Sequence, residues 1–445
     1  MAIVFVLIAL LVVAVLVTGN WYVWRRLFRD TTKGPGAVRR AGAAVIVGGW
    51  ALTVATFVVS RSDAPFRLKQ VLAWPGYLWL ALALYLLLAV LAGELVRPVL
   101  RRILERRART SQAAEPVPAR PEPIPAGQGT GRGPSGPGGP GGPGDATDTG
   151  TAGDGPAADG GASGPQGAPA APSRRLFVSR VVGGAAAAAA VGTVGYGTYG
   201  VLRGPGVKRV TVPLAKLPRA AHGYRIAVVS DIHLGPVLGR GFAQKVVDTI
   251  NSTQPDLIAV VGDLVDGSVK DLGPAAAPLA RLRARHGSFF VTGNHEYFSG
   301  AEQWVEEVRR LGLNPLENAR TELPHFDLAG VNDVAGEDEG QGPDYAKALG
   351  DRDRGRACVL LAHQPVQIHD AVDHGVDLQL SGHTHGGQLF PGNLVAGLAN
   401  PTLAGLDRYG DTQLYVSRGA GAWGPPTRVG APSDITVIEL ASKQA

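Results

Sequence analysis

The sequence has almost no cysteine, with Cys358 the single one among 445 residues. This excludes an intramolecular disulfide framework and a zinc site built from several thiolates. Histidine is absent before His222, and all ten histidines lie between that residue and His385. Acidic residues are scarce in the first half, where the chain up to Arg203 has 21 Lys and Arg against 10 Asp and Glu. From Gly204 onward the numbers are 22 and 27, so nucleic-acid binding by the second half is not expected.

Three long apolar stretches without charge lie in the first hundred residues of the chain. Residues 2–18, 41–59 and 72–91 are apolar runs, each long enough to predict a transmembrane helix. A secretory signal peptide is the alternative for residues 2–18. That run lacks preceding basic residues and is followed by positive charges, which favours a retained span.

The distribution of arginine predicts the orientation of these spans. Residues 25–40 and 97–109 carry most of the basic side chains of this region, whereas the loop between the second and third spans has only Arg61, Arg67 and Lys69. Basic loops are retained in the cytoplasm. The sequence therefore predicts that the loop between the second and third spans, like the N-terminus, faces outward.

Residues 110–172 are mostly Pro, Gly, Ala, Ser, Thr and Asp, which predicts a disordered cytoplasmic linker. The motif S-R-R-L-F-V at 173–178 then precedes an apolar run at 181–201. This is either a plain fourth span with an arginine anchor or a twin-arginine-like export signal that stays in the membrane. Both interpretations place the rest of the chain outside.

The predicted protein is thus a multi-pass cell-membrane protein with four parts. They are a region of three transmembrane helices (1–109), the linker (110–172), a fourth transmembrane helix with the twin-arginine-like motif (173–206), and an extracytoplasmic domain (207–445).

In the last part, short continuous apolar runs alternate with amphipathic stretches. Strands are predicted at 225–230, 256–261, 287–292, 357–361, 376–380, 413–417 and 435–440, and helices at 241–251, 274–285 and 301–311. Continuous apolarity indicates strands covered on both faces, and hence a layered α/β domain. Ligands of such sheets bind outside the carboxyl ends of the strands.

Polar motifs follow five of these strands. They are D-I-H at 231–233, G-D-L-V-D at 262–266, G-N-H-E at 293–296, a histidine at 363, and G-H-T-H-G-G at 382–387. Carboxylate, amide and imidazole ligands without thiolates suit Mn, Fe or Zn. Two such ions about 3.5–4 Å apart can bind a phosphate and generate hydroxide near neutral pH.

In this order the motifs resemble those of the calcineurin-like metallophosphoesterase superfamily, over roughly residues 224–440. The segments GHTHGGQ and SRGAGAWGPPTR more narrowly resemble its bacterial membrane-associated branch. The resemblance implies an α/β fold, a layered β-sandwich flanked by helices, here preceded by an all-α transmembrane region. It also implies two divalent metal ions bound by seven residues: Asp231, His233, Asp263 and His385 at one, and Asp263 (shared), Asn294, His363 and His383 at the other.

The same resemblance implies that His295 is catalytic and protonates or stabilises the leaving oxygen. The expected function is that of a membrane-anchored phosphoesterase in which a metal-bound hydroxide attacks phosphorus. Its expected substrates are phosphodiesters of lipids or of the cell envelope. Two alternatives stay open: a non-catalytic sensor or scaffold with this fold, and a phosphatase of soluble phosphomonoesters or nucleotides. Asp266 is expected to orient a ligand, and Trp423 either packs or forms a wall of the substrate groove.

Overall fold

The structure is a computed structural model that describes residues 2–113 and 174–444. Four long helices make up the first part: α1 (Ala2–Trp24), α2 (Ala37–Ser60), α3 (Phe66–Ala113) and α4 (Arg174–Leu202). Helix α3 includes the first four residues of the predicted linker, and the remainder of that linker lies outside the described residues.

Three helices in the described ranges are long and apolar enough to cross a membrane: Ala37–Ser60, Phe66–Arg107 and Arg174–Leu202. We call them the candidate spans. They contain the second, third and fourth predicted spans. The first predicted span falls within α1, and its membrane insertion stays a prediction.

Polar contacts join the basic ends of these helices. Arg26, in the π-helical turn after α1, forms ion pairs with Asp30 at 2.9 Å and with Glu94 of α3 at 2.8 Å. Arg180 of α4 donates from Nε to the carbonyl oxygen of Thr31 at 3.0 Å. The turn after α1, the second half of α3 and the start of α4 therefore lie at one end of the bundle.

Close helix packing in this bundle depends on small residues. A Cβ at Gly49 of α2 would overlap the ring of Trp79 of α3. Beside this contact, the hydroxyl of Thr53 donates to the carbonyl oxygen of Gly76 at 2.9 Å. Hydrogen bonds between helices of this kind, together with small residues at the contact, stabilise helix association where no water is present.

The second part of the chain contains two six-stranded sheets. The first has the order β1 (Gly206–Leu214), β12 (Asp434–Ser442), β2 (Tyr224–Val229), β3 (Leu257–Val261), β4 (Ser288–Val291), β5 (Asn314–Pro315). The second has the order β10 (Gly405–Tyr409), β11 (Thr412–Val416), β9 (Leu378–Ser381), β8 (Cys358–Leu361), β7 (Asp327–Gly330), β6 (Ala319–Glu322). Strands β2 to β5 are parallel, as are β7, β8, β9 and β11.

The sheets face each other across a buried core, and helices cover their outer faces. Side chains alternate along the strands: Val228 and Leu361 lie in the core between the sheets, whereas Val229 and Leu360 lie under the helices. The covering helices are α5 (Arg240–Ser252), α6 (Val269–Ala276), α7 (Asn294–Ser299), α8 (Ala301–Arg310), α9 (Tyr345–Leu349) and α10 (Ile368–Asp373). A further helix, α11 (Gly392–Ala399), has no buried residue. The predicted layered α/β sandwich flanked by helices is confirmed.

One predicted helix is misplaced. Residues 274–285 were expected to be helical, but α6 runs from Val269 to Ala276 and is followed by a 3-10 turn at Ala277–Arg281. The hydroxyl of Ser268 accepts a hydrogen bond from the backbone N–H of Asp271 and thereby caps the helix at an earlier start. Pro274 lies inside the helix rather than at its beginning.

The sandwich contacts the long helices directly. The Tyr85 hydroxyl of α3 donates to the carbonyl oxygen of Phe390 at 3.0 Å, and the hydroxyls of Thr198 in α4 and Thr427 are 2.7 Å apart. Val201, near the end of α4, is fully buried in the core beneath α5. Phe66, at the start of α3, packs against the same core, which places the α2–α3 loop beside the sandwich, at the opposite end of the bundle from the Arg26 ion pairs.

Candidate metal centre

The five polar motifs meet at one edge of the sandwich. Each follows the carboxyl end of a parallel strand: residues 231–233 follow β2, 262–266 follow β3, 293–296 follow β4, 363 follows β8 and 382–387 follow β9. Parallel strands in adjacent positions deliver their following loops to the same edge, which is where α/β proteins bind ligands. The structure therefore brings together all seven predicted ligands.

One cluster consists of Asp231, His233 and His385, whose ligand atoms all lie within 4.8 Å of one another. The Nε2 atoms of His233 and His385 are 3.0 Å apart, and the Nε2 of His385 is 3.4 Å from Oδ1 of Asp231. All three residues are buried.

A second cluster consists of Asp263, His363 and His383, whose ligand atoms also lie within 4.8 Å of one another. The Nε2 of His363 is 3.2 Å from Oδ2 of Asp263, and Nδ1 of His383 is 3.0 Å from Oδ1 of Asn294. Oδ2 of Asp263 is also 3.7 Å from Nε2 of His233, in the first cluster. The Asp263 carboxylate therefore lies between the two clusters, where a bridging ligand has to be.

The residues present fit a pair of divalent cations. His363 Nε2 is buried and has no hydrogen-bond partner among the described residues, although it faces a carboxylate. Five of the seven predicted ligands also adopt a left-handed backbone, with φ between 47° and 72°: Asp231, His233, Asp263, His383 and His385. Such conformations are unfavourable for non-glycine residues and concentrate at functional sites.

Charge in this site is set by burial and by neighbouring groups. Burial opposes ionisation of Asp263, but the His363 and His233 imidazoles outweigh it and hold the pKa of this carboxyl well below its usual range. Burial also lowers the pKa of His383 to about 4, assisted by the charge of His363. An ionised carboxylate and a neutral imidazole are the forms that bind metal.

The carboxylate of Asp266 connects the first cluster to His295. Its Oδ1 is 2.9 Å from Nδ1 of His233 and 2.7 Å from Nδ1 of His295. Burial raises the pKa of Asp266, but the two imidazoles outweigh this and bring it to about 2. The ionised carboxylate therefore orients both rings, as expected from the sequence, and leaves the Nε2 of His295 without this contact.

A chamber of about 1190 Å3 separates this site from the candidate spans. His233, Asp266, His295 and Trp423 line it on the sandwich side. The α2–α3 loop and the adjoining helix ends line the other side with Phe57, Ser60, Arg61, Asp63, Lys69 and Tyr77. Trp423 is thus a wall of the groove, and its ring lies 5.7 Å from that of His295.

Comparison with known proteins agrees with this geometry. The family model described as calcineurin-like phosphoesterase matches residues 224–387. An uncharacterized metallophosphoesterase of Bacillus subtilis is 31% identical over 280 residues, which cover 61% of this chain and 98% of that protein. The chain belongs to the calcineurin-like phosphoesterase family.

Two longer relatives have a higher identity over the part of the chain that they match. A zebrafish (Danio rerio) protein named transmembrane protein with metallophosphoesterase domain is 39% identical over 264 residues, covering 56% of this chain. An uncharacterized metallophosphoesterase of Helicobacter pylori is 39% identical over 250 residues, also covering 56% of this chain. The matches span 60% and 67% of those two proteins, respectively.

Two buried residues of the phosphoesterase domain have roles that motif reading did not assign. The carboxylate of Glu296 accepts hydrogen bonds from the backbone N–H groups of Asp263, Leu264 and Gly293, at 2.7 to 2.9 Å. It therefore ties the loop after β3 to the loop after β4. Burial, reinforced by the charge of Asp263, raises the pKa of Glu296 to about 7.

The second residue is Arg428, which fixes the loop that carries His385. Its Nη1 donates to the carbonyl oxygen of His385 at 3.1 Å, its Nη2 lies 3.1 Å from Nδ1 of the same residue, and its Nε donates to the carbonyl oxygen of Gly421 at 2.6 Å. Burial lowers the pKa of this guanidinium to about 10. Nearby, Oδ1 of Asp333 accepts from the backbone N–H of Ala335 and from the side-chain amide of Gln364, both at 2.9 Å.

Replacing Glu296 with glutamine should destabilise the loops of the metal site while leaving every predicted ligand side chain in place. The amide has one acceptor oxygen for three buried N–H donors, so at least one donor loses its partner at a cost of about 1–3 kcal/mol. We expect Glu296→Gln to lower the thermal unfolding midpoint and to lose added Mn2+ faster than the wild type. Glu337→Gln, at an exposed position, is the matched control. An unchanged midpoint together with unchanged metal retention would remove this role from Glu296.

Proposed function

We propose that the protein is a membrane-anchored, metal-dependent phosphoesterase that hydrolyses phosphodiesters of lipid or cell-envelope substrates. The observation that carries this proposal is the position of Asp263 between two buried ligand clusters, beside a histidine held by a carboxylate. The complete set of ligand side chains supports a catalytic domain over a sensor or scaffold that only keeps the fold.

On this proposal, each cluster holds one divalent cation. Asp231, His233 and His385 would bind the first, and Asn294, His363 and His383 the second, with Asp263 shared between them. Mn, Fe and Zn all suit this set of oxygen and nitrogen donors. When bound, two such cations offset the charge of a phosphate and lower the pKa of water.

His295 would act on the leaving group. Its Nδ1 is engaged by Asp266, so its Nε2 is the ring nitrogen that can hold a proton for the departing oxygen. Its ring is held edge-on against Phe298 and Trp423, at 5.5 and 5.7 Å between centroids. A general acid of this kind contributes about 10²–10⁴ in rate.

Substituting His295→Ala should therefore lower kcat by about 10²–10⁴ for substrates with alkyl leaving groups. The loss should be much smaller for nitrophenyl substrates, because a nitrophenolate departs without a proton. Metal content, measured by elemental analysis, should equal that of the wild type. His369→Ala, at an exposed position outside the site, serves as the control. A loss of equal size for both classes of leaving group would argue against this role.

The composition of the chamber supports an amphiphilic substrate. Arg61 and Lys69 offer positive charge from the helix side, and Phe57 and Tyr77 offer apolar surface beneath them. A phosphodiester with a second anionic group and an acyl chain could contact all three kinds of surface at once. A small soluble ester is too short to contact all three at once.

The double substitution Arg61→Gln and Lys69→Gln should therefore raise KM for a lipid-linked phosphodiester, by about tenfold for each charged hydrogen bond lost. Turnover of a small aryl phosphodiester should change much less. Arg67→Gln is the control, since Arg67 is exposed and not among the described residues that line the chamber. Equal effects on both substrates would mean that these cations do not select for the lipid.

We further propose that the protein crosses the cell membrane several times and carries the phosphoesterase domain on the extracytoplasmic side. The arginine-rich segments lie at the Arg26 end of the bundle, and the sparsely charged α2–α3 loop lies at the other end with the sandwich. Basic segments stay in the cytoplasm, which supports this orientation.

Cysteine labelling can measure the orientation, because the native Cys358 is fully buried. A membrane-impermeant maleimide added to intact spheroplasts should label Ser62→Cys in the α2–α3 loop and Arg354→Cys in the sandwich. Lys33→Cys, in the basic loop, should react only after the membrane is permeabilised. All three positions are exposed. The reverse pattern would invert the topology and direct the substrate search to cytoplasmic phosphoesters.

A further inference from the structure

An apolar, uncharged segment follows directly after the last predicted metal ligand. Between His385 and Asp407 there is no ionisable side chain. The segment contains α11 (Gly392–Ala399), and none of the eight residues of this helix, all within the described part of the chain, is buried. The large apolar side chains of the segment are exposed: Phe390 is 50% exposed, Leu394 62%, Val395 70% and Leu398 90%.

This segment lies alongside the candidate spans rather than above them. Leu389 packs in one cluster with Tyr85 of α3 and with Ala190 and Val194 of α4. The carbonyl oxygen of Phe390 accepts the hydrogen bond from Tyr85. Because a helix rises 1.5 Å per residue, Ala190 and Val194 lie roughly 12–18 Å before the end of α4 at Leu202.

The contact on α3 also lies within an apolar run, since Tyr85 belongs to the predicted span at residues 72–91. Tyr85 lies 19 residues after the start of α3 at Phe66, which is about 28 Å along the helix axis. The hydrocarbon core of a bilayer is about 30 Å thick. Spans placed in a membrane would therefore bring Phe390 and the neighbouring α11 to the level of the lipid, not to that of bulk water.

We propose that residues 389–399 insert into the lipid bilayer beside α3 and α4, so that the metal site opens at the level of the lipid headgroups. This inference rests on the membrane placement in the proposed function and names the substrate class as a phosphate carried by a membrane-resident amphiphile. A lipid surface suits the segment because its exposed side chains are apolar and its neighbours are the candidate spans.

The inserted segment is coupled to the site through Gln388. The side-chain amide of Gln388 donates to the carbonyl oxygens of Trp423 and Pro425 at 2.9 and 3.1 Å, and it accepts from the N–H of Trp423 at 3.0 Å. Gln388 lies three residues after His385 and just before the inserted segment. The membrane contact and the Trp423 wall of the chamber are therefore fixed to each other.

Fluorescence quenching in vesicles tests the insertion directly. Full-length protein with Val395→Cys or Leu398→Cys is labelled with an environment-sensitive nitrobenzoxadiazole dye and reconstituted into vesicles of phosphatidylcholine and phosphatidylglycerol. We expect blue-shifted emission at both positions and quenching by lipids brominated on their acyl chains. The control is His222→Cys, which is exposed just before β2 at the end of the sandwich opposite the site, and which should show neither effect.

Two results would overturn the proposal. The first is emission at residues 395 and 398 that matches the control in wavelength and resists the brominated lipids. The second is a blue shift that grows with protein density and is not quenched by those lipids, which would show that a second copy or another protein covers the segment. Neither readout depends on turnover. A protein with quenched labels and no hydrolysis of any phosphodiester would keep this inference while contradicting the proposed activity.

Discussion

The structure of the site depends on burying several carboxylates in one small volume. Asp231, Asp263 and Glu296 are buried within adjacent loops, where an unpaired charge is very costly. Backbone N–H groups compensate part of this cost: Asp263 receives the N–H of His295, Asp231 that of His383, and Glu296 three more. The turns that aim these N–H groups also force the ligand residues into left-handed conformations. The stabilisation of the buried carboxylates and the left-handed geometry of the ligand loops therefore depend on each other.

The motifs were predictable because they depend on local sequence. A short apolar run followed by Asp, Asn or His indicates where a strand ends at the sheet edge. It also indicates which ligand atoms lie there. The layered fold followed from the same runs, and strands such as β3 and β8 were predicted within one residue of where they lie. Strand β1, by contrast, has Lys208 and Arg209 side by side between two valines at the sheet edge, a pattern too polar to be recognised as a strand.

What the sequence could not supply is contact between distant segments. Glu296 is visible in the G-N-H-E motif, but two of its three donors, Asp263 and Leu264, come from a loop that only the folded sheet brings next to it. Arg428 lies 43 residues after the histidine that it holds. The start of α6 was misjudged because the Ser268 cap competes with Pro274, which is equally compatible with the first turn of a helix. Tertiary packing decided between two local signals of similar strength.

The chamber shows that the membrane region is more than an attachment. Tyr77 of α3 and Arg61 of the α2–α3 loop lie across one cavity from His295, although more than 200 residues separate them in sequence. The Tyr85 and Thr198 hydroxyls fix the sandwich to α3 and α4, so the width of the cavity is set by helix packing. For a substrate that stays in the bilayer, this packing fixes the height of the metal site above the lipid, and that height determines which phosphate the site can reach.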